Sequence, residues 1–146
     1  MSGIYARYYE DLGRCVQLGQ AGEKCISVSF PESSDEPGDH PLLDRIADYL
    51  QGAEDDFADV DVGMTVPTKH RAILEALRNV PYGDAVSVDL LARMSEGVNH
   101  EEELDVVRDA LRENPLPFIV PDHRVTDAPS AAPDDVREYL RDLEGL

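Results

Sequence analysis

Tryptophan is absent from this 146-residue chain, lysine occurs only at Lys24 and Lys69, and the only cysteines are Cys15 and Cys25. Two cysteines cannot build the multi-bridged framework of a small secreted domain, and their plain reading is a pair of reduced thiols in a cytoplasmic protein. A disulfide, or half a metal site with His40, stands beside that reading. If a hairpin turns on Gln20, the two cysteines face each other across the ladder. No apolar run reaches the length of a membrane helix, and the N-terminus lacks the charged-then-apolar pattern of a signal peptide. No membrane partner is therefore expected, nor any metal or cofactor.

Positive charge is the largest deficit. Thirteen Lys and Arg stand against 31 Asp and Glu, for a formal net charge of -18, and so acidic a chain repels phosphate at low salt. Residues 1–65 hold 4 basic and 14 acidic side chains, residues 66–125 hold 7 and 11, and residues 126–146 hold 2 and 6. The middle segment is the least acidic per residue, which is consistent with an anion-facing surface without amounting to a basic patch. Acid-rich, lysine-poor composition resembles that of proteins from salt-accumulating archaea, whose carboxylate surfaces stay hydrated in concentrated salt. A specifically acidic binding face is the other possibility.

What is present is read from spacing. Ile4–Tyr9, Gly13–Leu18 and Lys24–Phe30 read as strands, with Gln-Ala-Gly at 20–22 as the turn of a hairpin. A loop dense in breakers, residues 31–41, leads to a helix with Leu42, Leu43, Ile46 and Leu50 at helical spacing, capped by Asp39 and stopped at Gly52. Phe57–Val66 reads as an extended linker. A helix from Thr68 then carries Ile73, Leu74, Leu77 and Val80, and Pro81-Tyr82-Gly83-Asp84 turns out of it. Ser87 caps a helix with Leu90, Leu91 and Met94. Asn99 and Glu102, in capping-box spacing, open a third whose buried stripe is Leu104, Val107 and Leu111. This is the helix-turn-helix order. Pro117–Val120 then reads as a short apolar strand that exposes Asp122, His123 and Arg124 at its end.

The order of motifs carries a resemblance. Pro-Tyr-Gly-Asp at 81–84, Ser87-Val88, the helix over 100–113, Asn114-Pro115, Pro121-Asp-His-Arg-Val125 and the helix over 136–145 are similar, in register, to the alkylguanine-DNA alkyltransferases. That resemblance implies an α+β fold: a small N-terminal sheet-plus-helix domain of RNase H-like type over residues 1–63, then a winged-helix-like helix-turn-helix domain over 64–146. It also implies that Asn114, Asp122, His123 and Glu144 stand at the family's active site, with Asp122 where the family's acceptor cysteine lies.

Four departures from the family pattern shape the functional expectation. Asp122 is no thiolate, so cysteine-dependent transfer, and with it an enzyme, is not expected. Val88 replaces a tyrosine that helps to rotate the damaged nucleotide. Asp105 replaces the arginine that fills the space left by the extruded base. The loop after Val125 is shorter and has no glycine or aromatic residue. The resemblance assigns DNA contact to Val88, Asp105, Arg108, Arg112 and Arg124, although Arg108 and Arg112 sit among acids with which they can pair on a solvated face. Three readings stay open: a non-catalytic DNA or alkyl-lesion binder of the alkyltransferase-like type, linked to DNA repair; an interaction or regulatory module that has lost DNA; and an enzyme using Asp122 and His123. Double-stranded DNA and a protein are accordingly both candidate partners.

Overall fold

Three strands, β1 (Gly3–Tyr9), β2 (Arg14–Ala21) and β3 (Lys24–Ser29), form an antiparallel sheet in the order β1-β2-β3 in the computed structural model, which describes residues 3–34 and 38–146. The helices α1 (Pro41–Leu50), α2 (Thr68–Leu77), α3 (Val88–Met94), α4 (Leu104–Arg112) and α5 (Asp134–Glu144) follow. The fold is α+β, as expected. The middle of the loop after β3, residues 35–37, lies outside the described residues. Among the described residues, no helix is long and apolar enough to cross a membrane.

Alternation along the strands sends Val16, Leu18 and Val28 into the same buried cluster as Leu43, Ile46 and Tyr49 of α1. That cluster continues through Phe57 and Phe118 into the buried stripes of α2, α3 and α4. Three rings join the two halves: Tyr49 stacks on Phe118 with centroids 6.0 Å apart, and Phe57 stands edge-on to both at 5.3 and 5.2 Å. The linker is fastened to α2 by Arg78, whose Nη2 donates to the carbonyls of Phe57, Ala58 and Val60.

Several local expectations are corrected. The hairpin turns at Gly22, which takes the left-handed φ of 62°, so Gln20 pairs with Cys25 while Cys15 lies opposite Tyr8 at the far end of the ladder. The cysteines therefore do not face each other, and both are free and buried. Burial pushes the Cys25 thiol up to about 11, against a weaker opposing hydrogen bond from the Ser27 backbone. At pH 8 the thiolate fraction is thus roughly one in a thousand. We expect an aromatic disulfide reagent to label Cys25 only on unfolding and reductant to leave the melting curve unchanged. A reductant-sensitive transition would contradict this arrangement.

Proline at position 41 occupies the first turn of α1 and moves the cap to His40, whose Nδ1 accepts from the Leu42 amide at 3.1 Å. Asp39, the expected cap, instead binds Arg7 at 2.6 Å. The helix expected from residue 100 begins at Leu104. Asn99 and Glu103 hold the preceding residues in a turn, the Asn99 side chain accepting from the Glu101 amide and Glu103 accepting from the Asn99 amide.

Candidate functional site

Residues 114–125 do not form the expected strand and exposed turn. Asn114 folds the segment back on itself: its Oδ1 accepts from the Leu116 amide (2.9 Å) and its Nδ2 donates to the Val120 carbonyl (3.0 Å). Phe118 takes a left-handed φ of 63° at the tip, and the Val120 amide bonds to Leu116 O at 2.8 Å. The chain then enters a single 3-10 turn at Asp122–Arg124, and all three of these side chains are buried. A run of charge that local patterning places at the surface is inside because each group finds a distant partner.

Asp122 receives three hydrogen bonds. Ser130 Oγ donates to Oδ1 at 2.6 Å, while the Ala131 amide and Asn114 Nδ2 donate to Oδ2 at 3.0 and 3.1 Å. Burial raises its pKa above the ordinary carboxylate value even so, with these three bonds opposing the shift. No hydrogen bond joins Asp122 to His123.

The other two residues of the turn meet at Glu144. His123 Nε2 donates to Oε2 at 2.6 Å, Arg124 Nε donates to Oε1 at 2.7 Å and its Nη2 to Oε2 at 3.1 Å. The Tyr49 hydroxyl donates to Oε2, and the Gly83 amide to Oε1 at 3.1 Å. Gly83 sits at a φ of 80°, a conformation that suits glycine and lets the turn of residues 81–84 present its amide to the carboxylate. Burial alone would raise the pKa of Glu144, but the bonds from His123 and Arg124 outweigh it and hold the group at about 2. Arg124 Nη1 donates to Val80 O at 2.7 Å. The second ring nitrogen of His123, Nδ1, is buried with no partner among the described residues.

Asn114, Asp122, His123 and Glu144 are thus gathered in one place, but in two groups: Asn114 with Asp122, and His123 with Glu144. The residues expected at a DNA face divide differently. Asp105 and Arg112 are exposed on α4, with Arg112 bound to Asp109 at 2.7 Å, and Arg108 is half-buried beside them. Val88 and Arg124 are each only 1% exposed. Val88 belongs to the packed face of α3 with Leu91 and Ala92, while Leu90 and Met94 point outward. Arg124 is committed to Glu144 and Val80. Neither side chain is placed to touch a nucleic acid.

Sequence reasoning missed Tyr49 and Ser130. Tyr49 was within reach, since it lies on the same stripe as Leu42, Ile46 and Leu50, and a buried tyrosine needs a partner for its hydroxyl. Nothing in the pattern around Ser130 signals its role.

Residues 68–138 match the family model for the DNA-binding domain of 6-O-methylguanine DNA methyltransferase. A methylated-DNA-protein-cysteine methyltransferase of Methanopyrus kandleri is 32% identical over 108 residues, spanning 70% of this chain and 79% of the relative. The chain belongs to the methylated-DNA-protein-cysteine methyltransferase family. The fold agrees. A variant of the M. tuberculosis O6-methylguanine methyltransferase superposes with a TM-score of 0.76 at 21% identity, covering 99% of this chain and 93% of that one. The M. tuberculosis protein solved in complex with DNA gives 0.67 at 21% identity over 84% and 77%.

Membership corrects one expectation directly. The chain was not expected to be an enzyme, but the relative that establishes its methyltransferase family carries an enzyme's name. Asp122 at the expected acceptor position does not by itself show that activity is absent.

Proposed function

We propose that this DNA-repair family member binds duplex DNA containing alkylated guanine, with α3 and α4 against the duplex and the Asn114–Asp122 group beside the altered base. In the same proposal residues 64–146 carry the interface and residues 1–63 support it. The observation that carries the reading is the direct joint between surface and site. Arg112, the last residue of exposed α4, is two residues from Asn114, which binds Asp122. The end of α4 and the buried cluster are thus joined by one short segment of chain. The family's DNA-binding domain model and the DNA complex of the M. tuberculosis neighbour support the same partner.

Charge does not drive this binding. The outer face of α4 interleaves Asp105 and Asp109 with Arg108 and Arg112, so shape and base contacts must supply most of the affinity. In molar salt the screening length is about 3 Å, and counterion release contributes little. Fluorescence anisotropy in molar potassium chloride, comparing a duplex with one O6-methylguanine against its undamaged twin, tests the proposal. Preference for the damaged duplex, weakened by Arg108→Ala, is the expected result. A folded sample that binds neither duplex would sink it and would favour the alternative that the acid-interleaved face of α4 suggests, a surface for a protein partner.

A further inference from the structure

The loop from Thr126 to Pro133 lies between the site and α5, and its two ends are secured independently of the site. The Thr126 amide donates to Val86 O at 2.9 Å, Asp127 Oδ1 accepts from the Val88 amide at 2.9 Å, and Pro133 opens α5. Between those ends, among the described residues, the hydrogen bonds that leave the loop both finish on one side chain: Ser130 Oγ and the Ala131 amide each donate to Asp122. The bond from the Ala132 amide to Ser130 Oγ is internal to the loop. The apolar hold is confined to small side chains at the two ends of the segment: Ala132 is buried in the core and Ala128 packs against it, while Pro129, Ser130 and Ala131 between them are half-buried.

We infer that residues 128–132 form a lid over Asp122, latched by that carboxylate, and that the latch must open before a base enters the site. The base-entry half rests on the proposed function above, whereas the latch is a property of the free protein. Opening would return one of the carboxylate's faces to water, relieving the desolvation that raises its pKa. Asn114 Nδ2 stays on Oδ2 throughout, so the carboxylate keeps its place while the lid moves. An incoming base with a hydrogen-bond donor on its edge would take the position that Ser130 and Ala131 vacate.

Amide hydrogen exchange on the full chain reads the latch without DNA. Ala131 is the reporter, because its acceptor is Asp122 and not Ser130. In Ser130→Ala its exchange is expected to quicken about tenfold, the factor for losing one hydrogen bond to a charged group. Amides of α2 and α4 should be unchanged, which shows that the fold is intact. Asp122→Asn is the matched variant: its carbonyl can accept from Asn114 and Ala131 while its amide donates to Ser130, so Ala131 should stay protected. Unaltered Ala131 exchange in Ser130→Ala overturns the latch. If exchange quickens, Ser130→Ala should also associate faster than the wild type with the O6-methylguanine duplex, and equal association rates overturn the gating of base entry. Should no variant bind either duplex while Ala131 exchange still quickens, the latch stands and the proposed DNA function fails.

Discussion

Glu144→Ala should cost about 3–5 kcal/mol of folding stability, the range found when one partner is stripped from a buried ion pair. The loss would strand Arg124, which is 1% exposed, together with the Tyr49 hydroxyl, His123 Nε2 and the Gly83 amide, all of which now end on the same carboxylate. Adding a separate penalty for each would overcount, since groups sharing a partner are not additive. A domain of this size has about 5–15 kcal/mol in all and loses about 2–4 °C of melting temperature per kcal/mol, so a fall of roughly 10 °C is expected. Urea or thermal unfolding measures it, and a loss below about 1 kcal/mol would mean that the hub does not form in solution.

The same residue sets an acid limb. Its folded pKa of about 2 lies below the ordinary value of 4.5. The stabilisation is therefore complete above pH 4.5 and is lost as the pH falls towards 2, on the order of 3 kcal/mol over that window. Asp122 acts in the opposite sense. Its raised pKa means that the folded state holds the proton more tightly, so its contribution favours folding at low pH and declines as the pH rises through its folded pKa. Glu144→Gln should flatten the acid limb, and Asp122→Asn should steepen it.

Asp105→Arg is the largest expected gain in binding. It turns an exposed anion on the outer face of α4 into a cation. Beside a phosphate such a reversal amounts to about 1.4 kcal/mol or more at low salt, a tightening of about tenfold. Screening shortens from about 10 Å at 0.1 M to about 3 Å at 1 M, so the gain should shrink across a salt titration. Glu10→Arg makes the same change of net charge at an exposed position between β1 and β2 and should gain much less. Equal effects from the two variants, or none from Asp105→Arg at 0.1 M, would remove α4 from the DNA interface.

Helical spacing made α1, α2 and the stripe of α4 legible, because Leu42, Ile46, Ile73, Leu77, Val107 and Leu111 recur on single faces that are in fact buried. The motif order around Asn114 and Asp122 made the family legible. Its geometry was not. Four apolar residues between prolines fit a strand by pattern, and only the Asn114 side chain, bonding forwards to Leu116 and Val120, turns them into a loop. The burial of Arg124 depends on Val80 and Glu144, 44 and 20 residues away, and no local window reports such partners. The cysteine pairing failed for a smaller reason: the hairpin turns at Gly22 rather than Gln20, which places Cys15 and Cys25 on unrelated rungs.

The Tyr49–Glu144 bond spans 95 residues, and the Arg14–Asp135 pair spans 121. Closing loops of that length is an entropic cost met late in folding. The bond from Tyr49 is thus expected to reach the carboxylate later than those from His123 and Arg124, which lie only 21 and 20 residues away. The sheet and the first helices would collapse before it arrives, and its contribution would appear as resistance to unfolding rather than as speed of folding.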